Sequence, residues 1–263
     1  MTSDVVLCEK FDGVATVTLN QPATLNAITI DTLDRLRHIV DDVARDPDVR
    51  AVILTGAGRG FCSGANLMGG SAQTLASGGM GVRSIILTMN NVLMDIVEME
   101  KPWLAAVNGP AVGAGCSLAL ACDLVVAAES AYLAAGFVKV GMVLDMGSTF
   151  LLPRLVGLRR AAEMALLGER VYAPQAVTLG LINRAAPDDA LMDTAREWAA
   201  RLAAGPTLAI GAIKLGLQRG LTGSLRDALY WEAMMQSLVA QTEDAAEGFM
   251  AFLQKRPPDF KGR

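Results

Sequence analysis

Leu104-Ala105-Ala106-Val107-Asn108-Gly109-Pro110-Ala111-Val112-Gly113-Ala114-Gly115-Cys116-Ser117-Leu118-Ala119-Leu120-Ala121-Cys122 carries no charge over 19 residues, nearly the length of a membrane span. Asn108-Gly109-Pro110 and the pair Gly113 and Gly115 cut it into two short pieces, so it reads as a buried strand at 104–107, a turn, and a buried helix from about 114 to 121. A second apolar run at 124–127 reads as the next strand. The same order occurs upstream. Residues 14–19 and 51–55 are β-branched and aliphatic, and between them Leu33, Leu36, Val40 and Val43 recur at helical spacing, with Asp31 near the start and Pro47 beyond the end. An amphipathic helix is expected over 29–45. Strand, helix, strand, twice over, argues for an α/β fold with helices packed on largely buried strands.

Working outward, the 263 residues suffice for a full core, and one main domain is expected. The composition, 52% hydrophobic and 19% charged, is that of an ordered globular chain. A net charge of -4 and a pI near 5.1 give no general attraction to nucleic acid or anionic lipid, so neither is expected as a partner. Cys8, Cys62, Cys116 and Cys122 form no CxxC pair, and the single histidine, His38, supplies no second imidazole, so no metal site is expected. His38 lies about 140° round its helix from Leu33 and should face solvent. With one histidine pointing outward, Ser-His-Asp and Cys-His chemistry is excluded. Asp4 and Glu9 stand where a signal peptide needs a basic start and an apolar run, so reduced thiols and a cytoplasmic location are expected.

Beyond Asp145 the chain turns alanine- and leucine-rich, with helices expected over 161–167, 188–204 and 208–217 and the trend continuing over 224–252. Gly205-Pro206 is the best boundary, dividing a core at 1–204 from a helical C-terminal arm at 205–263. Residues 68–83, with Gly69, Gly70, Gly78, Gly79 and Gly81, have the composition of a mobile surface segment. Gly56-Ala57-Gly58-Arg59-Gly60 follows a strand but meets neither phosphate-loop spacing.

Two turns carry the functional reading: Phe61-Cys62-Ser63-Gly64-Ala65-Asn66-Leu67 and the Asn108 to Cys116 segment quoted above. Each follows a strand and is built of small residues around Ala65 and Ala114. Tight strand–helix packing would need such residues, and so would a backbone N–H that must reach a ligand unscreened. The second turn opens a helix, whose free N–H groups and dipole would point the same way. Two such turns in one chain favour an oxyanion hole.

At these positions the chain resembles the crotonase, or enoyl-CoA hydratase/isomerase, superfamily. Asn20-Gln21-Pro22 with Leu25-Asn26-Ala27, the two turns, Cys122-Asp123, Leu152-Pro153-Arg154 and Gly180-Leu181-Ile182 all fall in family register. The resemblance implies a crotonase-like spiral of ββα units with a helical C-terminal region, assembled as a homotrimer or dimer of trimers. It implies an acyl-CoA thioester as partner, with coenzyme A part of the substrate and no separate cofactor. The N–H groups of Ala65 and Ala114 would hold the thioester oxygen. Ser63, Gly64, Asn66, Leu67, Gly113, Ser117 and Phe137 would line the substrate, Lys255 with Arg256 and Phe252 would approach the phosphates, and the arm would close the site and serve oligomerisation.

Family hydratases use two glutamates, at positions that here are Ser117 and Phe137, and neither residue can act as a carboxylate base. Asp145, four residues after Gly141, falls where family isomerases place their base. Its neighbours Val143, Leu144 and Met146 would raise its pKa if they line the pocket. The expectation is double-bond isomerisation of an enoyl-CoA with Asp145 as base. Alternatives are hydration by Asp145 alone, an aspartate-nucleophile dehalogenase, or a non-catalytic acyl-CoA-binding protein; a turn or N-cap role before Gly147-Ser148 is the structural alternative for Asp145. Asp123 is read as a cap or turn residue and Glu163 as a solvated charge.

Overall fold

The computed structural model describes residues 4–66 and 78–263. The chain opens on a hairpin in which β1 (Val6–Phe11) pairs antiparallel with β2 (Val14–Leu19) around Asp12 and Gly13, both at positive φ. An Asp-Gly turn matches the twist of such a hairpin. Along β1, Glu9 and Lys10 obscure the apolar alternation, so this strand escaped the sequence pattern; Lys10 bridges Asp42 and Asp46 at 2.7 and 2.6 Å.

Next come α1 (Ile30–Arg45), β3 (Ala51–Gly56), α2 (Gly78–Glu98), β4 (Trp103–Val107), β5 (Ala111–Val112), α3 (Ala114–Leu120), β6 (Leu124–Ala128) and β7 (Tyr132–Ala134). The remainder is α4 (Ser148–Leu167), β8 (Val171–Tyr172), α5 (Ala173–Thr178), β9 (Arg184–Ala186), α6 (Leu191–Ala203), α7 (Thr207–Gly220), α8 (Leu225–Val239) and α9 (Glu243–Gln254). The large sheet has the order β1-β2-β3-β4-β6-β9, parallel from β2 onward, and the small one β5-β7-β8. Successive passes thus alternate between sheets, β4 then β5, β6 then β7, with a helix after each pair. This is the ββα spiral. Every residue of β3 and β4 is buried, as parallel strands covered on both faces must be.

The amphipathic helix forms as its pattern requires. Thr29 caps α1 by accepting from the Thr32 N–H, while the Thr32 hydroxyl accepts from the Thr29 N–H. Leu33, Leu36, Ile39, Val40 and Val43 are buried, each contributing about 1.5–3 kcal/mol, and His38 is exposed. Helix α2 is long and apolar enough to cross a bilayer by length and composition, but its Met89, Val92, Leu93 and Ile96 are buried and it packs on α1. Its first turns cover 78–83, correcting the expectation of an irregular segment there; 67–77 lie outside the described residues.

In the C-terminal part α4 and α7 run longer than the sequence suggested, whereas α6 is shorter than the expected 188–204. Helix α4 begins at Ser148, but Pro153 and a break at Gly157 (φ 74°, ψ 159°) interrupt its periodicity. The stretch 224–252 is two helices, with Thr242 capping the second. Two cations fasten this region. Lys214 of α7, buried, lies 2.9 Å from Asp123 and donates to the carbonyls of Ile96 and Lys101. Asp123 also accepts from the Trp103 N–H at 2.8 Å, which gives it the structural role expected, with a partner the sequence did not suggest. Burial pushes its carboxyl up, against the pull of Lys214. Arg50 donates to the Thr207 hydroxyl and to the carbonyls of Gly205 and Phe260. The last residues fold back on α9, where Asp244 accepts from the N–H groups of Lys261 and Gly262.

Candidate active site

The two turns stand side by side at the edge of the small sheet. Cys62 bridges Ala111 and Ala65 bridges Ile28, so 62–65 form an irregular rung between them. The Cys62 N–H donates to Pro110 and the Val112 N–H to Cys62; on the other side Ile28 N–H donates to Gly64 and Asn66 N–H to the Ile28 carbonyl. Ladder alternation then turns the Ala65 N–H away from Ile28, toward the second turn. A side chain at Gly64 (φ 97°) would lie 2.8 Å from the Val112 carbonyl and 3.6 Å from the Ala114 nitrogen, and one at Gly115 would collide with the Cys62 carbonyl. Glycine at these places is what lets the turns approach. Among the described residues, neither the Ala65 nor the Ala114 N–H donates a hydrogen bond. Two unused donors on adjacent turns, one opening a helix, are what an oxyanion hole requires.

Two asparagines hold this arrangement from behind. Asn26, buried, accepts from the Gln21 N–H and donates to the carbonyls of Ala57 and Gly60. Asn108 accepts from the Gly56 N–H and donates to the carbonyls of Gly56, Gly58 and Gly60. The glycine loop at 56–60 is therefore a stapled structural turn. Cys62 and Cys116 are buried beside the turns, and burial pushes both thiols up to about 12, too high for a nucleophile.

Asp145 meets α3 one turn beyond its start. Its main-chain carbonyl accepts from the Ser117 hydroxyl at 3.2 Å, and Ser117 is one turn beyond Ala114. The Asp145 side chain is half-buried, its Oδ1 is buried with no hydrogen-bond partner among the described residues, and burial pushes its carboxyl up to about 6. Met146 lies in the core and Leu144 is half-buried, as desolvation requires, whereas Val143 is 83% exposed and contributes nothing to it. Of the structural alternative, the cap is not made, since Gly147 is the residue before α4 and no side chain caps it, while the turn is: the Asp145 carbonyl accepts from the Ser148 N–H at 3.0 Å.

The other candidates divide between the two turns and the arm. Ser63 is half-buried and donates from its hydroxyl to the Thr24 carbonyl; Gly64 and Gly113 (φ 55°) are the bends before each donor. Asn66 is half-buried and Leu67 lies outside the described residues. Phe137, buried in a 3₁₀ turn, faces Gly113. Ser117 is fully buried and pairs with Ser148 at 2.6 Å, a partner that no motif announced. Lys255 ends α9 in a left-handed conformation and is exposed; among the described residues no hydrogen bond or ion pair links it to the turns. Arg256 is held by Glu247 and Gln254. Glu163 is exposed and pairs with Arg160.

A family model described as enoyl-CoA hydratase/isomerase matches residues 9–263. The chain is 38% identical to the 1,2-epoxyphenylacetyl-CoA isomerase of Escherichia coli over 99% of this chain and 99% of that protein. It is 37% identical to the 2,3-dehydroadipyl-CoA hydratase of the same organism, over 98% of this chain and 99% of the other. The crystal structure of enoyl-CoA hydratase from Bacillus anthracis superposes with a TM-score of 0.93 at 31% identity, covering 98% of this chain and 100% of that one.

Proposed function

We propose that this chain, which belongs to the enoyl-CoA hydratase/isomerase family, shifts the double bond of a 3-enoyl-CoA or a ring-derived enoyl-CoA into conjugation with the thioester. The observation that carries this reading is Asp145, its carboxylate desolvated with an unpartnered oxygen and its main chain tied to Ser117, one helical turn beyond the unused Ala114 N–H. Asp145 takes a proton from C2, and the electron pair moves into the thioester carbonyl. Ala65 and Ala114 stabilise the resulting oxyanion, each donor supplying about 3–4 kcal/mol at the transition state. The same carboxyl returns the proton to C4, leaving the double bond between C2 and C3. A carboxyl with a pKa of about 6 suits both halves of this exchange near neutrality.

Hydration by the two-carboxylate route is disfavoured, because Ser117 and Phe137 occupy the positions in question and both are buried. The relative named as an isomerase of an aromatic-ring-derived CoA ester supports the choice of isomerase. Coenzyme A enters as part of the substrate and no separate cofactor is invoked; Lys255 would meet its phosphates. The protein is read as cytoplasmic and as a homotrimer or dimer of trimers, supported by exposed Ile213 and Leu217 on α7 and Leu229 and Met234 on α8. The division into a core at 1–204 and an arm at 205–263 belongs to the same reading. The test is to assay purified protein separately on 3-enoyl-CoA and 2-enoyl-CoA. Double-bond migration is expected; fast hydration of the 2-enoyl substrate with no migration would sink the proposal.

A further inference from the structure

The residue that replaces a carboxylate at position 117 is itself engaged in the site. The Ser117 hydroxyl lies 2.6 Å from the Ser148 hydroxyl, 3.2 Å from the Asp145 carbonyl and 3.3 Å from the Gly113 carbonyl. It has one proton for three neighbours. With Ser148 donating to Ser117, that proton is free for a carbonyl, and all four groups are satisfied: the Asp145 carbonyl also takes the Ser148 N–H at 3.0 Å, and Gly113 takes the Ser117 N–H at 3.0 Å. Both serines are buried, Ser117 at 0% and Ser148 at 2% exposure. Immediately after Asp145 the backbone enters two left-handed residues, Met146 (φ 45°) and Gly147 (φ 76°). A non-glycine side chain in that region is strained and persists only where its surroundings hold it.

We infer that Ser117, backed by Ser148, is a positioning residue that ties the main chain of Asp145 to the helix whose first turn presents the Ala114 donor. The base and the Ala114 donor come from segments about 30 residues apart, and this hydroxyl couple is a hydrogen-bonded link between them. The inference rests on the isomerase reading for its kinetic consequence, but its structural consequence stands apart. Ser117→Ala removes the link; Ser117→Thr keeps a hydroxyl; Ser148→Ala removes only the backing donor.

The experiment combines steady-state kinetics on a 3-enoyl-CoA with crystal structures of the wild type, Ser117→Ala and Ser148→Ala, and uses Asp145→Asn as reference. In Ser117→Ala, kcat is expected to fall about ten- to a hundredfold with KM changed by less than about threefold, because a base displaced by about 1 Å loses turnover rather than binding. Met146 should leave the left-handed region. Ser148→Ala should act in the same direction and more weakly, and Ser117→Thr should recover most of the loss. Unchanged turnover in Ser117→Ala while Asp145→Asn is inactive overturns the positioning role and leaves the isomerase reading intact. A fall in kcat with the Asp145 backbone unmoved overturns it as well. A displaced backbone in Ser117→Ala, with turnover indifferent to Asp145→Asn, supports the positioning role and overturns the reaction.

Discussion

Replacing Asp145 by Asn should abolish turnover and at the same time make the protein more stable at alkaline pH. Burial raises the folded-state pKa from 3.8 to about 6, so the native state disfavours the charged form relative to the unfolded chain. The sign follows from linkage. Below about pH 3.8 both states are protonated and no penalty exists; it grows as pH rises through the interval to about 6, and is constant above. At about 1.36 kcal/mol per pH unit, the native state holds the charge at a cost of about 3 kcal/mol at pH 8 and about 1 kcal/mol at pH 4.5. Water on the open side of the carboxylate screens roughly half of this, leaving about 1.5 and about 0.5 kcal/mol. The Asn variant carries no such penalty, so it should gain about 1.5 kcal/mol at pH 8, or roughly 3–6 °C in Tm. Urea denaturation followed by circular dichroism at both pH values, with calorimetry alongside, measures it. An Asn variant no more stable than wild type at pH 8, or equally stabilised at both pH values, would refute the desolvated-base argument.

For the wild type, kcat/KM for isomerisation should rise with pH through an apparent pKa of about 6 and then level off, because the base must be ionised to accept the proton; an acid limb in the ordinary carboxylate range would contradict the burial of Asp145. Gly64→Ala places a methyl 2.8 Å from the Val112 carbonyl at a φ of 97°, so the two turns must part. Loss of at least about a hundredfold in kcat/KM is expected, with a lowered Tm; retention of wild-type kinetics would mean that the turns do not form the oxyanion hole. Lys214→Met leaves half-buried Asp123 without its counter-ion and should cost about 3 kcal/mol in chemical denaturation, part of it recovered by adding Asp123→Asn; a loss below about 1 kcal/mol would show that the pair does not fasten α7 to the core.

Where the fold was legible in the sequence, one physical signal acted alone. The stripe Leu33, Leu36, Val40 and Val43 faces one way because nothing else competes for it, and the strands at 104–107 and 124–127 are buried on both faces and read as unbroken apolar runs. Where signals overlap, the pattern blurs: β1 carries exposed Glu9 beside Lys10, which pairs with Asp42 and Asp46, and α4 is cut by Pro153 and Gly157. The candidate donors Ala65 and Ala114 could be read from the sequence because a main-chain N–H needs only small neighbours, a property that composition records. Ser148, Lys214 and the stapling roles of Asn26 and Asn108 were not. Each acts through a partner 28 or more residues away, apart from the Gln21 contact, and such pairings exist only once the chain has folded.

The central claim is that Asp145 and the two N–H donors converge on one thioester. It is tested most directly by a crystal structure of Asp145→Asn bound to a 3-enoyl-CoA, which holds the substrate in place without turning it over. The thioester oxygen is expected at about 3 Å from both the Ala65 and Ala114 nitrogens, and the side-chain oxygen of residue 145 within about 3.5 Å of C2 and C4. A thioester oxygen that meets neither nitrogen, or an acyl chain that passes residue 145 beyond contact distance, would contradict it.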